Sequence, residues 1–500
     1  MIRTPEQYVE SLNDGRVLYF QGERVPDVTK HPIMKINVAS ASMDWVLANH
    51  PKYGDLLTME EDGERVMFLW KQPKTAEDLV RRRDIFITTN RINMTIGGSN
   101  LHAMGVDALA AAGLVASRMD RQLGTHYMDA VEDYRQYLKK NDPGVTGAIT
   151  DVKGNRSLHP SAQVQHKDFY VRVVDRERQG IVVRGAKMHI TAAPVANEII
   201  VSPCRTHREE DKDYAVVFAT PLNAKGITQI VSPPGTIKTG DEAAWDWPIS
   251  GRRGGATESL IVFNDVFVPW NRVFMCGEWQ FTRDIAWAFG TFHRIYGTAH
   301  TVANLEVKAG AAALMADYNG LEKYPHIREK LAWLAMHAET CDAISRAACE
   351  HPHIEPETGF AIPNMVYSNI AKYKFANDAA ESSKYVADIC GGLAYDVFSY
   401  NDWMNPEIRP FIEKYLAGKA GVPTEHRLRA IRLVKDLTGL NHDQKDIHAE
   451  GSLAAQKMAL YAGSDWNRYK AAAKRVAGIP GWEEHFIFKG LPEYPPKGLV

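Results

Sequence analysis

The sequence has few cysteines, and they are widely spaced. Five occur among 500 residues, at positions 204, 276, 341, 349 and 390, and no two form a Cys-x2-Cys or Cys-x3-Cys pair. This spacing disfavours a zinc site or a locally encoded iron–sulfur cluster. We therefore expect buried, reduced thiols and no metal site.

A strong net charge and a long apolar run are also missing. The 59 basic and 61 acidic side chains nearly cancel, which disfavours nucleic acid or a membrane surface as a partner. No apolar run approaches the roughly 18 residues of a membrane span, and the N-terminus lacks the apolar core of a signal peptide. The sequence predicts a cytoplasmic protein that acts on a small molecule.

Several compact catalytic motifs are absent. There is no GxGxxG after a strand, no GxxxxGK[ST], no GxSxG and no HExxH. These absences disfavour a Rossmann dinucleotide site, a P-loop, a serine-hydrolase elbow and a zinc peptidase. A dinucleotide would have to bind in a cleft between domains, held by scattered residues.

Hydrophobic periodicity divides the chain into three parts. Residues 1–145 are mostly helical in pattern, 146–277 alternate like strands, and 278–500 form long Ala-rich helices with an extended tail. We predict an α+β fold of the acyl-CoA dehydrogenase-like kind. It would have an N-terminal helical domain, a middle β-barrel or β-sandwich domain and a C-terminal four-helix bundle.

The stretch FHRIYGTAH, residues 292–300, concentrates polar chemistry in one helix. His293, Tyr296 and His300 are spaced i, i+3, i+7, so they share one face, and Arg294 lies beside them. Imidazoles exchange protons near neutral pH, which favours an acid–base role for His293, with Tyr296 and His300 in the same row. Arg294 is a further catalytic candidate. The alternative is the polar corner of a buried helix.

Several segments together resemble the 4-hydroxyphenylacetate 3-hydroxylase superfamily, and more closely its branch with 4-hydroxybutyryl-CoA dehydratase. The matching segments include GAITDVKGNRS, RGAKMHITAA, ESLIVFNDVFVPWNRVFM, FHRIYG and DICGGLAYD. The resemblance implies FAD bound without a Rossmann fold and a homotetramer built as a dimer of dimers. The flavin-side candidates by matching position are Thr150, Lys187, His189 and Thr191, with Arg156 as a phosphate contact.

Donors at alternating positions of one strand would lie on one face and could meet the flavin carbonyls and phosphates. The alternatives are a solvated strand face for these residues and surface pairing with aspartates for Arg156. Glu258 is a further catalytic candidate, because it matches a glutamate near the substrate in the dehydratase, although it could also simply cap or flank its strand.

The sequence departs from the dehydratase at its cluster ligands. In that branch three cysteines and a histidine hold a [4Fe–4S] cluster. The matching positions here are Ser99, Ala103, Ala299 and His293. Serine and alanine cannot replace thiolates, so we expect no iron–sulfur cluster. His102, Ser99 and His300 are then candidates for substrate binding in the vacated space.

Three functions stay open. The leading hypothesis is a two-component flavin monooxygenase, in which a separate flavin reductase supplies FADH2 and O2 hydroxylates an aromatic or electron-rich substrate. The hydroxylase branch's phenol-binding segment has no counterpart in NMTIGGSNLH, residues 93–102. The second hypothesis, which rests on the closer resemblance to the dehydratase branch, is a cluster-free acyl-CoA dehydratase, isomerase or dehydrogenase. The third is a non-catalytic helical scaffold.

Overall fold

The computed structural model of the chain describes residues 2–93, 101–232, 239–253, 257–439, 446–449 and 451–490. The predicted extended tail therefore falls largely outside the described residues. The helices are α1 (Pro5–Glu10), α2 (Met34–Ala48), α3 (Gly54–Leu57), α4 (Ala76–Asn93), α5 (Leu101–Leu123), α6 (Tyr127–Asn141), α7 (Gly240–Asp246), α8 (Ser250–Arg253), α9 (Thr282–Tyr318), α10 (Pro325–Glu350), α11 (Met365–Cys390), α12 (Leu393–Asp396), α13 (Tyr400–Met404), α14 (Arg409–Tyr415), α15 (Thr424–Gly439), α16 (Leu453–Gly463) and α17 (Trp466–Val476).

The strands are β1 (Leu18–Phe20), β2 (Glu23–Arg24), β3 (Thr58–Glu61), β4 (Glu64–Met67), β5 (Val145–Ala148), β6 (Arg172–Arg176), β7 (Gly180–Thr191), β8 (Glu198–Val201), β9 (Val216–Pro221), β10 (Ile227–Val231), β11 (Glu258–Pro269), β12 (Val273–Cys276), β13 (His353–Ile354) and β14 (Ala361–Ile362).

The middle of the chain forms a β-sandwich. One sheet has six strands in the order β2-β1-β10-β11-β7-β6, and the other has four in the order β12-β9-β8-β5. Alternate residues of both sheets, such as Val183, Phe263 and Phe218, are buried in one shared core. This alternation is what the sequence pattern predicts. The predicted middle β domain is thus confirmed.

The six-stranded sheet also takes two strands from the start of the chain. β1 pairs parallel with β10, with Leu18 opposite Gln229 and Phe20 opposite Val231. β2 folds back antiparallel on β1. Residues 18–24 lie within the predicted N-terminal helical part, yet they complete an edge of the middle sheet.

Helix α9 is 37 residues long and joins the two helical parts. It packs against α10, α11 and α15 in the C-terminal bundle and against α4 and α5 of the N-terminal part. Phe292 of α9 shares a core with Phe86 of α4 and Val106 of α5. In the described part of the chain no helix, α9 included, is long and apolar enough to cross a membrane.

The pair α7 and α8 is a feature that the sequence analysis missed. The prediction placed residues 239–253 within the β domain, but the structure packs them on C-terminal helices. Trp245 of α7 stacks on Trp403 of α13 with ring centroids 5.9 Å apart. The buried Asp436 carboxylate of α15 accepts bonds from the Ile249 amide at 2.7 Å and the Ser250 amide at 3.0 Å. Two amides at the start of α8 are thus capped by a distant helix.

The Asp436 contact gives a stability prediction. Asp436→Ala removes the acceptor of two buried amides and of the Ser250 hydroxyl, which donates at 2.7 Å. Because buried donors without an acceptor are costly, we expect the free energy of unfolding to fall by about 3 kcal/mol. Urea unfolding followed by tryptophan fluorescence measures this change.

A matched control is Asp317→Ala, which removes an exposed carboxylate that bonds Lys419 at 2.7 Å. We expect a change below about 0.5 kcal/mol because solvent screens such pairs. Equal effects of the two substitutions would contradict the role of Asp436.

Candidate active site

The three residues predicted to share one face of α9 form a stacked row. The rings of His293 and Tyr296 have centroids 5.4 Å apart with planes inclined by 25°, and Tyr296 and His300 follow at 6.2 Å and 28°. Phe289 precedes them, 4.9 Å from His293. The i, i+3, i+7 spacing produces this row because each step returns to the same side of the helix.

His293 is held by a buried carboxylate from another helix. Its Nδ1 lies 3.0 Å from Oδ2 of Asp107 on α5. The other carboxylate oxygen of Asp107 lies 3.6 Å from Nη1 of Arg82 on α4. His293 is 7% exposed, Asp107 is fully buried and Arg82 is 3% exposed. His293 is thus the most exposed of three buried, interacting side chains that come from α9, α5 and α4.

Arg294 lies outside the stacked row. It is half-buried, and its guanidinium lies beside Gly290 of its own helix and near Gly451, just before α16. A Cβ on Gly451 would come within 3.4 Å of Arg294 Nη2. Its catalytic role stays a prediction. The side chain of Arg294 brings α9 close to the segment that precedes α16.

Glu258 and Thr191 form a direct pair at the ends of neighbouring strands. They are opposite each other in the β7–β11 register, and the Thr191 hydroxyl lies 2.9 Å from both Glu258 carboxylate oxygens. Both side chains are half-buried. The Thr191 carbonyl accepts a bond from the Thr146 hydroxyl at 2.8 Å, which joins β7 to β5.

The prediction that Lys187, His189 and Thr191 share one strand face is wrong for Lys187. His189 has a φ of 59°, and the β7–β11 register shifts beside it, between Ser259 and Ile261. This bulge breaks the alternation, so His189 is exposed while Lys187 is 2% exposed on the opposite, buried side.

The Lys187 ammonium is engaged by the protein itself. It donates to the carbonyls of Ile149 at 3.1 Å and Ser202 at 2.6 Å, and to the Asp151 carboxylate. These bonds hold residues 149–151 against β7. Thr150 lies within that segment, and its carbonyl accepts a bond from the Met188 amide at 3.0 Å.

The remaining candidates at this strand end reach solvent. Thr150 is half-buried, and Arg156 and His189 are exposed. Partial burial and the nearby Lys153 charge lower the pKa of His189. A hydroxyl, an imidazole and a guanidinium are suitable donors to flavin carbonyls and phosphates. The exposed donors therefore fit a flavin better than the buried Lys187 does.

His102 lies in a separate buried cluster. Its Nδ1 is 2.7 Å from Oδ2 of Asp44, and its Nε2 is 3.5 Å from Oδ1 of Asp142. Asp142 also accepts from the indole of Trp45 at 2.8 Å and that of Trp70 at 3.2 Å. Burial alone would lower the pKa of His102, but the two carboxylates outweigh it and raise the pKa to about 9.

These contacts account for His102 as a structural cation between α2, α5 and the start of β5. Its ring has no exposed surface. Its predicted role in substrate binding has no support from this geometry. Ser99, the companion candidate, lies outside the described residues. His300 is buried at the end of the stacked row.

Two of the three positions matched to cluster cysteines of the dehydratase branch are packed with apolar atoms. Ala103 and Ala299 are fully buried in the same hydrophobic core. Within the described ranges, no three His, Cys, Asp or Glu side chains are grouped as metal ligands. A methyl side chain has no donor for iron, so these residues do not fit a [4Fe–4S] cluster.

The carboxylates that hold the two histidines were not predicted from the sequence. Asp107 interrupts the otherwise small and apolar run HAMGVDALAAAG, residues 102–113, and is buried. A single carboxylate in such a run is a usable signal, because a buried charge requires a partner. The partner itself, 186 positions away, cannot be identified from local spacing.

The architecture of helices, a β-sandwich and a helical bundle is the acyl-CoA dehydrogenase-like fold. Two family models, described as 4-hydroxyphenylacetate 3-hydroxylase N terminal and C terminal, match residues 4–275 and 282–478. The chain belongs to the 4-hydroxyphenylacetate 3-hydroxylase family.

Two curated relatives represent two chemistries. The 4-hydroxybutyryl-CoA dehydratase/vinylacetyl-CoA-Δ-isomerase of Clostridium aminobutyricum is 30% identical over 96% of this chain and 100% of its own length. The oxygenase component of 4-hydroxyphenylacetate 3-monooxygenase of Thermus thermophilus is 30% identical over 88% of this chain and 89% of its own. Identity alone does not separate the two branches.

Solved structures give the same picture. An oxygen-tolerant 4-hydroxybutyryl-CoA dehydratase from N. maritimus has a TM-score of 0.87 at 29% identity and covers 96% of both chains. The oxygenase component of 4-hydroxyphenylacetate 3-monooxygenase complexed with FAD has a TM-score of 0.83 at 27% identity. That comparison covers 95% of this chain and 98% of the other.

The His102 cluster predicts a pH-dependent stability. Its folded pKa of about 9 exceeds the ordinary value of 6.5, so its ion pairs stabilise fully below pH 6.5 and are lost as the pH rises through 9. We expect the advantage of the wild type over His102→Asn to shrink by about 3 kcal/mol across that window.

Urea unfolding at a series of pH values measures the difference. His126→Asn, at a side chain that is 88% exposed, serves as the control and should show a flat difference. A constant difference for His102→Asn would show that His102 does not stay charged in the fold.

Proposed function

We propose that the chain is the oxygenase component of a two-component flavin monooxygenase that hydroxylates a phenol or another electron-rich aromatic compound. FAD would be delivered in reduced form by a separate reductase. Reduced flavin supplies two electrons and activates O2. The observation that carries the proposal is the buried imidazole row of α9, combined with alanines at positions 103 and 299.

The strand-end residues would hold the flavin. Thr150, His189 and Thr191 offer donors for ring carbonyls, and exposed Arg156 offers a cation for the phosphates. Lys187 acts behind them by fixing residues 149–151 through three bonds. FAD is present in a solved relative of this fold, which supports the same cofactor here.

The stacked row of α9 would accept the proton of the substrate. His293 can accept the phenolic proton at Nε2 because Nδ1 is occupied by Asp107. Tyr296 stacks on His293 and provides a hydroxyl on the same face. Removing the phenolic proton raises the electron density of the ring, which favours attack by an electrophilic oxygen.

A cluster-free acyl-CoA dehydratase or isomerase is the second candidate. It is favoured by the full-length match to the Clostridium aminobutyricum dehydratase and by the matching positions of Glu258, His293 and Tyr296. The buried Ala103 and Ala299 count against it, because without thiolates at these positions the chain would have to perform the reaction without the charge stabilisation of a Lewis-acidic cluster.

The decisive experiment supplies the purified chain with FADH2, 18O2 and a panel of phenols, beginning with 4-hydroxyphenylacetate. We expect one atom of 18O in the product. The parallel arm gives the chain oxidised FAD and 4-hydroxybutyryl-CoA without oxygen. Conversion in that arm alone would overturn the monooxygenase proposal in favour of the second candidate.

A substitution at His293 separates proton transfer from cofactor binding. His293→Asn should reduce the rate of product formation by roughly 100-fold, the range typical of a lost general base, while FAD affinity stays unchanged. His126→Asn is the matched control and should keep the full rate. Loss of FAD binding in His293→Asn, or an unchanged rate, would contradict the assignment.

A further inference from the structure

Two buried histidine–carboxylate pairs occur in the helical part, and they differ in one respect. His102 Nδ1 contacts Asp44, and its Nε2 faces a second carboxylate, Asp142. His293 Nδ1 contacts Asp107. In the described part of the chain, no second carboxylate is in ion-pair contact with His293. One imidazole therefore has a carboxylate near each ring nitrogen, and the other has one near Nδ1 only.

The Asp107 contact determines the tautomer of His293. A carboxylate only accepts hydrogen bonds, so the nitrogen 3.0 Å from it must carry hydrogen. In the neutral ring the lone pair is then on Nε2. Both partners are buried, and low local dielectric strengthens such a bond.

Arg82 explains how a carboxylate can stay charged at this depth. Its Nη1 lies 3.6 Å from the Asp107 oxygen that His293 does not use. Among the described residues, the ring contacts Asp107 of α5 and Tyr296 of α9 itself, and Arg82 of α4 contacts Asp107. Compensation by Arg82 lowers the attraction of the carboxylate for the ring proton, so the proton stays on Nδ1.

We propose that Asp107, supported by Arg82, is a positioning residue that holds His293 with Nδ1 protonated and Nε2 free to take the substrate's proton. The substrate step rests on the proposed function. In that step the phenolic O–H bond breaks, the proton moves to Nε2, and phenolate and imidazolium form. The Nδ1–H bond to Asp107 stays intact throughout.

Arg82 also makes the substitution Asp107→Asn informative. The guanidinium favours the amide oxygen of the new side chain, which turns its NH2 group toward His293 Nδ1. That nitrogen must then accept, so the hydrogen moves to Nε2. The isosteric change is expected to invert the tautomer without altering the packing.

Solid-state 15N NMR of protein labelled at histidine tests the tautomer directly, without substrate or flavin. The His293 signals are assigned by their loss in His293→Asn. We expect a protonated Nδ1 and an unprotonated Nε2 in the neutral ring of the wild type, and the reverse in Asp107→Asn. The same tautomer in both proteins would overturn the proposal.

The matched control is Asp44→Asn, which alters the other buried pair. It should change the His102 signals and leave those of His293 as in the wild type. If Asp107→Asn does not fold, Arg82→Met provides the second test. It should keep hydrogen on Nδ1 and shift the 15N signals of His293, because the carboxylate that holds the ring loses its compensating cation. Unchanged His293 signals in Arg82→Met would contradict the role of Arg82.

A chromogenic phenol then tests the functional consequence. With 4-nitrophenol as probe, absorbance reports the ionised fraction of the bound molecule. We expect the equilibrium constant for ionisation of the bound phenol to fall roughly tenfold to a hundredfold in Asp107→Asn, as for other carboxylates that orient an imidazole. Asp44→Asn should leave it unchanged.

The two readouts separate the two ideas. In one outcome the tautomer inverts in Asp107→Asn, but the wild type does not ionise the bound phenol. The positioning role of Asp107 would then stand, and phenol deprotonation by His293 would be refuted. In the other outcome the wild type ionises the bound phenol, and Asp107→Asn shows the same tautomer and the same ionisation as the wild type. Only the positioning role of Asp107 would then be refuted.

Discussion

The burial of α9 between two helical layers is the constraint on which the site depends. Where α9 is enclosed by α4 and α5 on one side and by α10, α11 and α15 on the other, its buried polar side chains need partners within the protein. The hydroxyls of Thr291, Thr298 and Thr301 donate to carbonyls of α9 itself. An imidazole cannot do the same from this position, and Asp107, backed by Arg82, provides the partner of His293.

More of the fold than of the candidate site could be predicted from the sequence. Periodicity was sufficient for the long helices, the β-sandwich and the shared face of His293, Tyr296 and His300, because each depends on spacing within one element. Pairings between distant helices have no local signature, so Asp107 and Asp142 were missed.

Two failures have specific physical causes. Lys187 was placed with His189 and Thr191 because a regular strand alternates, but a left-handed residue at His189 interrupts the alternation. The helices α7 and α8 were not predicted, because the segment that contains them was assigned to the β domain. Their apolar residues, Trp245 and Ile249, pack on C-terminal helices far along the chain.

The parallel pairing of β1 with β10 restricts the order in which the chain can fold. Residues 18–20 leave the ribosome early, but their partners at 229–231 follow more than 200 positions later. β1, with only β2 folded back on it, must therefore wait for its parallel partner until most of the sandwich has been synthesised. Contacts this distant in sequence close slowly and leave an apolar strand exposed to other chains in the meantime. The interval before β10 emerges is thus the period in which the nascent protein depends most on protection from aggregation.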